Sequence, residues 1–362
     1  MTQPILQQRA IAALKNSFIA DSLAMPVHWY YNPGDIFKQF PGGISQFEDA
    51  PGFHPSSIMS LHSTAQGGRT SAAKNATLEI VGDVILRGKR QYWGVANQHY
   101  HQGMEAGENT LNAHCVRALL RSLANEERVY SRDAFLDAYI DLLTASEPQH
   151  PDTYAESYHR GFFANLEAGK DEYECGAVTH DTASVGGLVT IGPLALICLL
   201  EGNSLTQVQA TCRSHLKLTH PDEELALVSD YYVELLQRLL TRDSASARDI
   251  IADIASRSIG LKLAELAAKK RSDFEIVGGL FTSACYISGS WPSVLYFAYT
   301  YADDTLAGLL ANTNVGGDNV HRGSVLGLIL GLMTGSALDA LFTQLKDATQ
   351  IEREIGLVCH HG

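Results

Sequence analysis

Between residues 323 and 342 the chain reads GSVLGLILGLMTGSALDALF, with glycine at 323, 327, 331 and 335. Four-residue spacing puts these glycines on one face of a helix. Each glycine in a helix interior costs about 1 kcal/mol relative to alanine, so a register of them needs a compensating contact. Close approach of another backbone or of a ligand supplies one. A membrane helix that dimerises through such a face competes with this reading, since roughly 20 apolar residues suffice to span. Ser324, Thr334, Ser336 and Asp339 interrupt the apolar run and favour a buried helix in a globular core. The other strongly apolar stretch, GGLVTIGPLALICLL at 186 to 200, is too short to span.

Helical periodicity runs through the rest of the chain. Leu225, Val228, Tyr232, Leu235 and Leu239 form a stripe behind Pro221 and the acids Asp222, Glu223 and Glu224, which is a helix start followed by a core-facing side. Leu111, Cys115, Leu119 and Leu123 repeat the form. Further helices are predicted at 7–24, 71–88, 132–145, 183–201, 205–217, 246–268, 291–312 and 321–345. Asp303-Asp304-Thr305 reads as an ordinary helix start. Alternating strand patterns are scarce, and no fixed-period repeat appears. The long irregular stretch 31–68 and the shorter 147–153 lack the composition of interdomain linkers. The expectation is one all-α domain over 1–362, with function in its loops.

With 27 basic and 40 acidic residues the net charge is −13. That argues against nucleic acid or an anionic membrane as a partner and leaves a small-molecule substrate open; oligomeric state is not readable. The six cysteines are scattered, without zinc-ribbon spacing or need of a disulfide framework. The N-terminal residues lack the basic start and apolar block of a signal peptide, so a reducing, cytoplasmic setting is expected.

Three segments could carry chemistry. Asp21 falls inside the apolar stripe of Ile11, Leu14 and Phe18, where a carboxylate is costly unless hydrogen-bonded, paired or bound to a cation. Gly107-Glu108-Asn109-Thr110 precedes a helix and reads equally as a cap. Gly316-Gly317-Asp318-Asn319-Val320-His321 opens the glycine-striped helix. It could be a plain turn, or it could aim backbone N–H groups at a phosphate or hold an acid against a metal.

Taken together, these segments resemble the ADP-ribosylglycohydrolase family, whose members read GD-x-x-G-x-P-x-E, then T-D-D-T at a helix start, then G-G-D-T-D-T. Leu218-Thr219-His220-Pro221 is similar to the family's T-H-P segment, and His180-Asp181-Thr182-Ala183-Ser184 looks like the lens J1-crystallin branch. The resemblance implies an orthogonal helical bundle of the ADP-ribosylglycohydrolase type. It also implies a cleft holding two divalent ions, magnesium or manganese, and hydrolysis that releases ADP-ribose. Carried over by position, the family's Thr, Asp, Asp ligands fall on Gly107, Glu108 and Asn109, its glutamate on His28, and its third-motif ligands on Asp318, Val320 and His321.

On that reading Asp21, His28, Glu108, Asn109 and His321 are the candidate catalytic residues. Gly316, Gly317, Asn319 and Gly327 are the candidate substrate contacts, and Glu108 and Asp318 the candidate metal ligands. Two carboxylates cannot neutralise two dications, so at most one magnesium or manganese ion is expected, and none is an open alternative. The chain has 14 histidines, among them His62, His99, His101, His114 and His180. Imidazoles at His28 and His321 would favour zinc, iron or manganese over magnesium, or would act as acids and bases without a metal. Three functions stay open: a glycosidase-type hydrolase of ADP-ribose or another small polar substrate, a non-enzymatic crystallin-like or ligand-binding protein, and a different hydrolase or lyase on the same scaffold.

Overall fold

A computed structural model describes residues 2–61, 79–243 and 245–360. Sixteen α-helices follow in order among the described residues. They are α1 (Gln3–Ala24), α2 (Pro33–Gln39), α3 (Leu111–Asn125), α4 (Arg132–Thr144), α5 (Ser157–Glu167), α6 (Leu188–Leu200), α7 (Leu205–Thr219) and α8 (Glu223–Leu240). After these come α9 (Ala247–Ile259), α10 (Leu263–Ala268), α11 (Asp273–Ile276), α12 (Ile287–Thr300), α13 (Thr305–Asn314), α14 (Asn319–Thr334), α15 (Asp339–Phe342) and α16 (Ala348–Cys359). Strands are absent among the described residues, where β pairing is limited to isolated bridges. None of these helices is long and apolar enough to cross a membrane.

The glycine face of α14 lies on α1. A Cβ at Gly327 would stand 2.5 Å from the Asn16 carbonyl oxygen, and one at Gly331 would stand 2.5 Å from the Ala13 Cα. At Gly323 the obstacles are the Asn312 amide, at 2.8 Å, and the Ala20 carbonyl oxygen, at 3.4 Å. The facing side of α1 is correspondingly small, with Ala10, Ala13, Ala20 and Ala24 all buried. Every residue of α14 from Asn319 to Met333 is buried, as expected of a central helix apolar on all sides. The buried apolar side chains form one contiguous cluster from Ala10 to Cys359, with a small satellite of Val27, Tyr30, Ile36 and Ile44.

Several predicted helices end earlier than their apolar pattern. The run 321–345 stops at Gly335, which adopts φ +66° and caps α14 rather than packing it. Gly260, also at φ +66°, divides 246–268 into α9 and α10. Tyr301 to Asp304 divide 291–312, and Asp304 caps α13 by accepting from the Ala307 N–H. Of the predicted helix 71–88, residues 71–78 lie outside the described residues. The remainder holds one short π-turn with non-helical Val81 and Gly82. Hydrophobic spacing reports burial across these breaks but is blind to the left-handed residue that ends a helix.

Alanine at Gly327 gains about 1 kcal/mol of helix propensity but places its methyl against α1 backbone that has no rotamer to yield. We expect Gly327→Ala to lower unfolding stability by about 1–3 kcal/mol and Gly327→Leu to abolish folding, both read by urea denaturation. A tolerated leucine would show that the helices do not touch there.

Candidate functional site

Helix α1 ends in a 3₁₀ turn, Met25–Val27, and the chain then passes through Trp29 at φ +60°. A left-handed tryptophan is held only by its surroundings. Here its N–H donates to the Gly317 carbonyl (2.8 Å), and the Gly317 N–H donates to Tyr30 (2.8 Å). This clasp explains the paired glycines. A Cβ at Gly316 would lie 2.1 Å from the Tyr30 oxygen, and one at Gly317 2.0 Å from the Ser283 oxygen. Both residues have positive φ. The Asp318 N–H then donates to Ser283 (2.8 Å), and the Asp318 side chain lands beside His28.

From there a buried chain of imidazoles and carboxylates runs in both directions. Asp318 Oδ1 lies 3.0 Å from His28 Nε2, His28 Nδ1 lies 2.8 Å from His101 Nε2, and His101 Nδ1 lies 2.8 Å from Asp152 Oδ1. On the other side Asp318 Oδ1 is 2.7 Å from His321 Nδ1, and His321 Nε2 is 3.1 Å from Glu156 Oε1. The two His321 contacts are at ion-pair distance but outside hydrogen-bond alignment; among the described residues Asp318 Oδ2 has no hydrogen-bond partner, and Glu156 Oε2 has only His159 Nε2 at 3.5 Å. Trp29 stacks on His28 at 3.6 Å, with Tyr100 and Tyr154 edge-on to Trp29.

Proton counting fixes what this chain can do. Three contacts link Asp152, His101, His28 and Asp318, and two neutral imidazoles bring two N–H groups. If His101 donates to Asp152 and His28 donates to His101, then His28 Nε2 faces Asp318 with a bare lone pair. In that arrangement an extra proton or a cation sits between them; with both tautomers reversed, His28 donates to Asp318 and the shortfall moves to Asp152. Histidines that ligate metals characteristically donate their other N–H to such a partner. The ligand atoms of His28, Asp318 and His321 all lie within 4.8 Å of one another, and the unpartnered Asp318 oxygen belongs to the same group. One divalent ion fits this donor set; the two-ion oxygen cage that the resemblance implied does not.

The electrostatics follow from burial. Desolvation pulls His28 down to about 3, only partly offset by Asp318. Burial also opposes the charge on Asp318, but the His321 and His28 rings outweigh it and hold the carboxyl well below the usual range. Glu156 is likewise held low against burial, through His321 first. His321, flanked by both acids, is raised well above its ordinary value despite its burial.

Asp21 occupies a different position. Its Oδ1 accepts from the Asn109 amide and the Thr110 N–H, both at 2.8 Å, and its Oδ2 accepts from the Thr110 hydroxyl at 2.6 Å. Asp152 Oδ2 accepts the next free donor, the Leu111 N–H, at 2.7 Å. Two buried carboxylates from elsewhere thus serve the N-terminus of α3, favourably placed for its dipole, while the Thr110 side chain makes no cap of its own. Burial raises the Asp21 carboxyl.

Glu108 turns away, its carboxylate accepting from the Glu105 N–H at 2.8 Å. It lines a separate surface pocket of about 330 Å³ with Asn109, His114, His150, Lys346 and Asp347. It is not part of the buried group around Asp318, where the side chains whose ligand atoms converge are His28, Asp318 and His321. Gly316, Gly317, Asn319 and Gly327 serve the framework: the Asn319 amide holds the Val27 and Thr313 carbonyls, and Gly327 meets α1. His62 lies outside the described residues. His101 was noted only as one of several available histidines, while Glu156 and Asp152 escaped the sequence reading because they sit in an irregular segment. Their signal was two acids four apart in PDTYAESYH, a stretch otherwise rich in aromatic and small polar residues.

The ADP-ribosylglycohydrolase family model matches residues 2–358. Among solved structures, the chain is similar to an ADP-ribosylglycohydrolase-related protein complex, at 16% identity and TM-score 0.60, covering 98% of each chain. That likeness shows the fold. No curated protein matches the chain.

Buried neutral histidines give a pH prediction. His28, His215 and His220 are lowered by burial to about 3, and His54 and His159 to about 4. Their folded pKa values lie below the unfolded 6.5, so the stability they contribute is full above that pH and is lost as pH falls toward the folded values. Each adds a slope of about 1.4 kcal/mol per pH unit. His321, shifted upward, contributes stability that is fully present below 6.5 and is lost only as pH rises above it, so it does not offset the loss on the acid side. Urea denaturation at pH 7, 6 and 5 should show a steep loss beginning near 6.5, above the carboxylate range; a flat profile to pH 5 would contradict it.

Proposed function

Since the chain belongs to the ADP-ribosylglycohydrolase family, we propose that it is a glycosidase-type hydrolase, cleaving a glycosidic or related C–N bond on ADP-ribose or another small polar substrate. Its cleft is rebuilt around imidazoles. The observation that carries the reading is the buried convergence of His28 Nε2, His321 and Asp318, whose Oδ2 has no hydrogen-bond partner among the described residues.

His28, Asp318 and His321 are assigned as the ligands of one divalent ion, which when bound orients substrate oxygens and acidifies water. His101 and Asp152 hold the His28 ring in the ligating tautomer. Glu156 Oε1 lies 3.1 Å from His321 Nε2, and its Oε2, 3.5 Å from His159 Nε2 and without a hydrogen bond, is assigned as the oxygen that accepts a proton from water. Asp21, Asn109 and Thr110 position these groups by fixing the start of α3 against α1. A second ion is disfavoured by charge. Two dications about 4 Å apart repel by about 16 kcal/mol even at an effective dielectric near 20, and Asp318 is the only carboxylate among the three ligands. Manganese satisfies both the family's implied preference and the imidazole pair.

Native mass spectrometry of protein loaded with manganese should show one stoichiometric ion, lost in Asp318→Asn and His28→Gln; two ions would overturn the charge argument. Turnover should be tested on ADP-ribosyl-arginine, ADP-ribosyl-serine and O-acetyl-ADP-ribose with manganese or magnesium. Hydrolysis of at least one is expected, reduced at least a hundredfold by Asp318→Asn. Failure on all three would sink the ADP-ribose reading.

A further inference from the structure

Arg160 lies on the first turns of α5, four residues after Glu156, and is fully buried. Its Nη1–H donates to the Ala155 carbonyl at 2.6 Å, while Nε and Nη2 have no hydrogen-bond partner among the described residues. The guanidinium stacks near Trp93, at 4.9 Å, and Tyr154, at 5.7 Å. These two rings stack on each other at 5.2 Å, and Tyr154 stands edge-on to the Trp29 that covers His28. Asp181 is within electrostatic reach of Arg160, but its oxygens are engaged by Ser157 at 2.7 Å and His180 at 2.9 Å.

A buried cation without a contacting counter-ion is unfavourable, and its aromatic neighbours repay only part of that. The two idle donors are also not an arbitrary pair. Nε–H and Nη2–H form the parallel edge of the guanidinium, which matches two oxygens of one carboxylate or phosphate group. We propose that Arg160 is an anion-binding residue that grips a substrate phosphate or carboxylate through this edge. It rests on the hydrolase reading only for what the anion is attached to. The α5 helix would then serve two parts of one ligand, through Glu156 at the reacting end and Arg160 at the anionic end.

Binding of simple anions tests this without turnover, so it stands or falls apart from the hydrolase assignment. Thermal unfolding of the full chain, with chelator present, would be titrated with phosphate and with malonate against chloride at matched ionic strength. The wild type should be stabilised by at least one of them, and which one identifies the oxyanion as phosphate or carboxylate. Arg160→Lys should need at least tenfold more of it. Arg160→Met should show no response while melting no lower than wild type, because an uncompensated buried charge has been removed. Equal responses in all three proteins, or no response of the wild type beyond chloride, would overturn the proposal. So would failure of both variants to fold, which would make Arg160 a structural stack.

Discussion

The backbone contact between α1 and α14 is the constraint on which everything else depends. At Gly327 and Gly331 there is no room for even a methyl group, so the two helix axes come closer than ordinary side chains allow. Their ends meet as a result: α1 exits into His28, and α14 begins at Asp318. The same contact that builds the core brings together residues 290 positions apart. Rigid packing of this kind gives the site its precision, since packed interiors transmit displacement instead of absorbing it.

Charge is the second organising element. Asp21, Asp152, Glu156 and Asp318 are all buried, and each is met by an N–H, an amide, a hydroxyl or an imidazole. Asp21 and Asp152 use the free donors at the start of α3 and so lock two irregular segments to the first helix. Asp318 and Glu156 are not fully satisfied by the protein. Structural and chemically available acids are thereby distinguished by hydrogen-bond accounting alone.

The all-α class was legible because apolar spacing dominates the chain, and the glycine face was legible because glycines at four-residue spacing call for a close contact, which the structure supplies at Gly323, Gly327 and Gly331. His28, Asp318 and His321 were visible as positions in motifs. Their convergence was obscured because Val320 and His321 stand where the resemblance placed oxygen ligands and because Glu108 looked like a surviving acid. Glu108 projects instead toward Glu105 at a turn, a direction set by tertiary placement that spacing does not encode. Asp152, Glu156 and His101 come from loops without periodicity, so only the folded chain shows that they converge. Gly260 and Gly335 mark the opposite limit: each ends a helix by adopting a left-handed conformation inside a pattern that reads as continuous.

The clasp between Trp29 and Gly317 also dictates when the site can exist. Its halves come from near the two ends of the chain. During synthesis at about 5–20 residues per second, roughly 15–60 s separate the emergence of one from the other. Throughout that interval α1 has no partner for its alanine-lined face, and the left-handed turn at Trp29 has nothing to hold it. The cluster is therefore a late event in biogenesis. A nascent chain released before α14 would display an unpaired apolar helix, the kind of surface that chaperones and proteases read as incomplete.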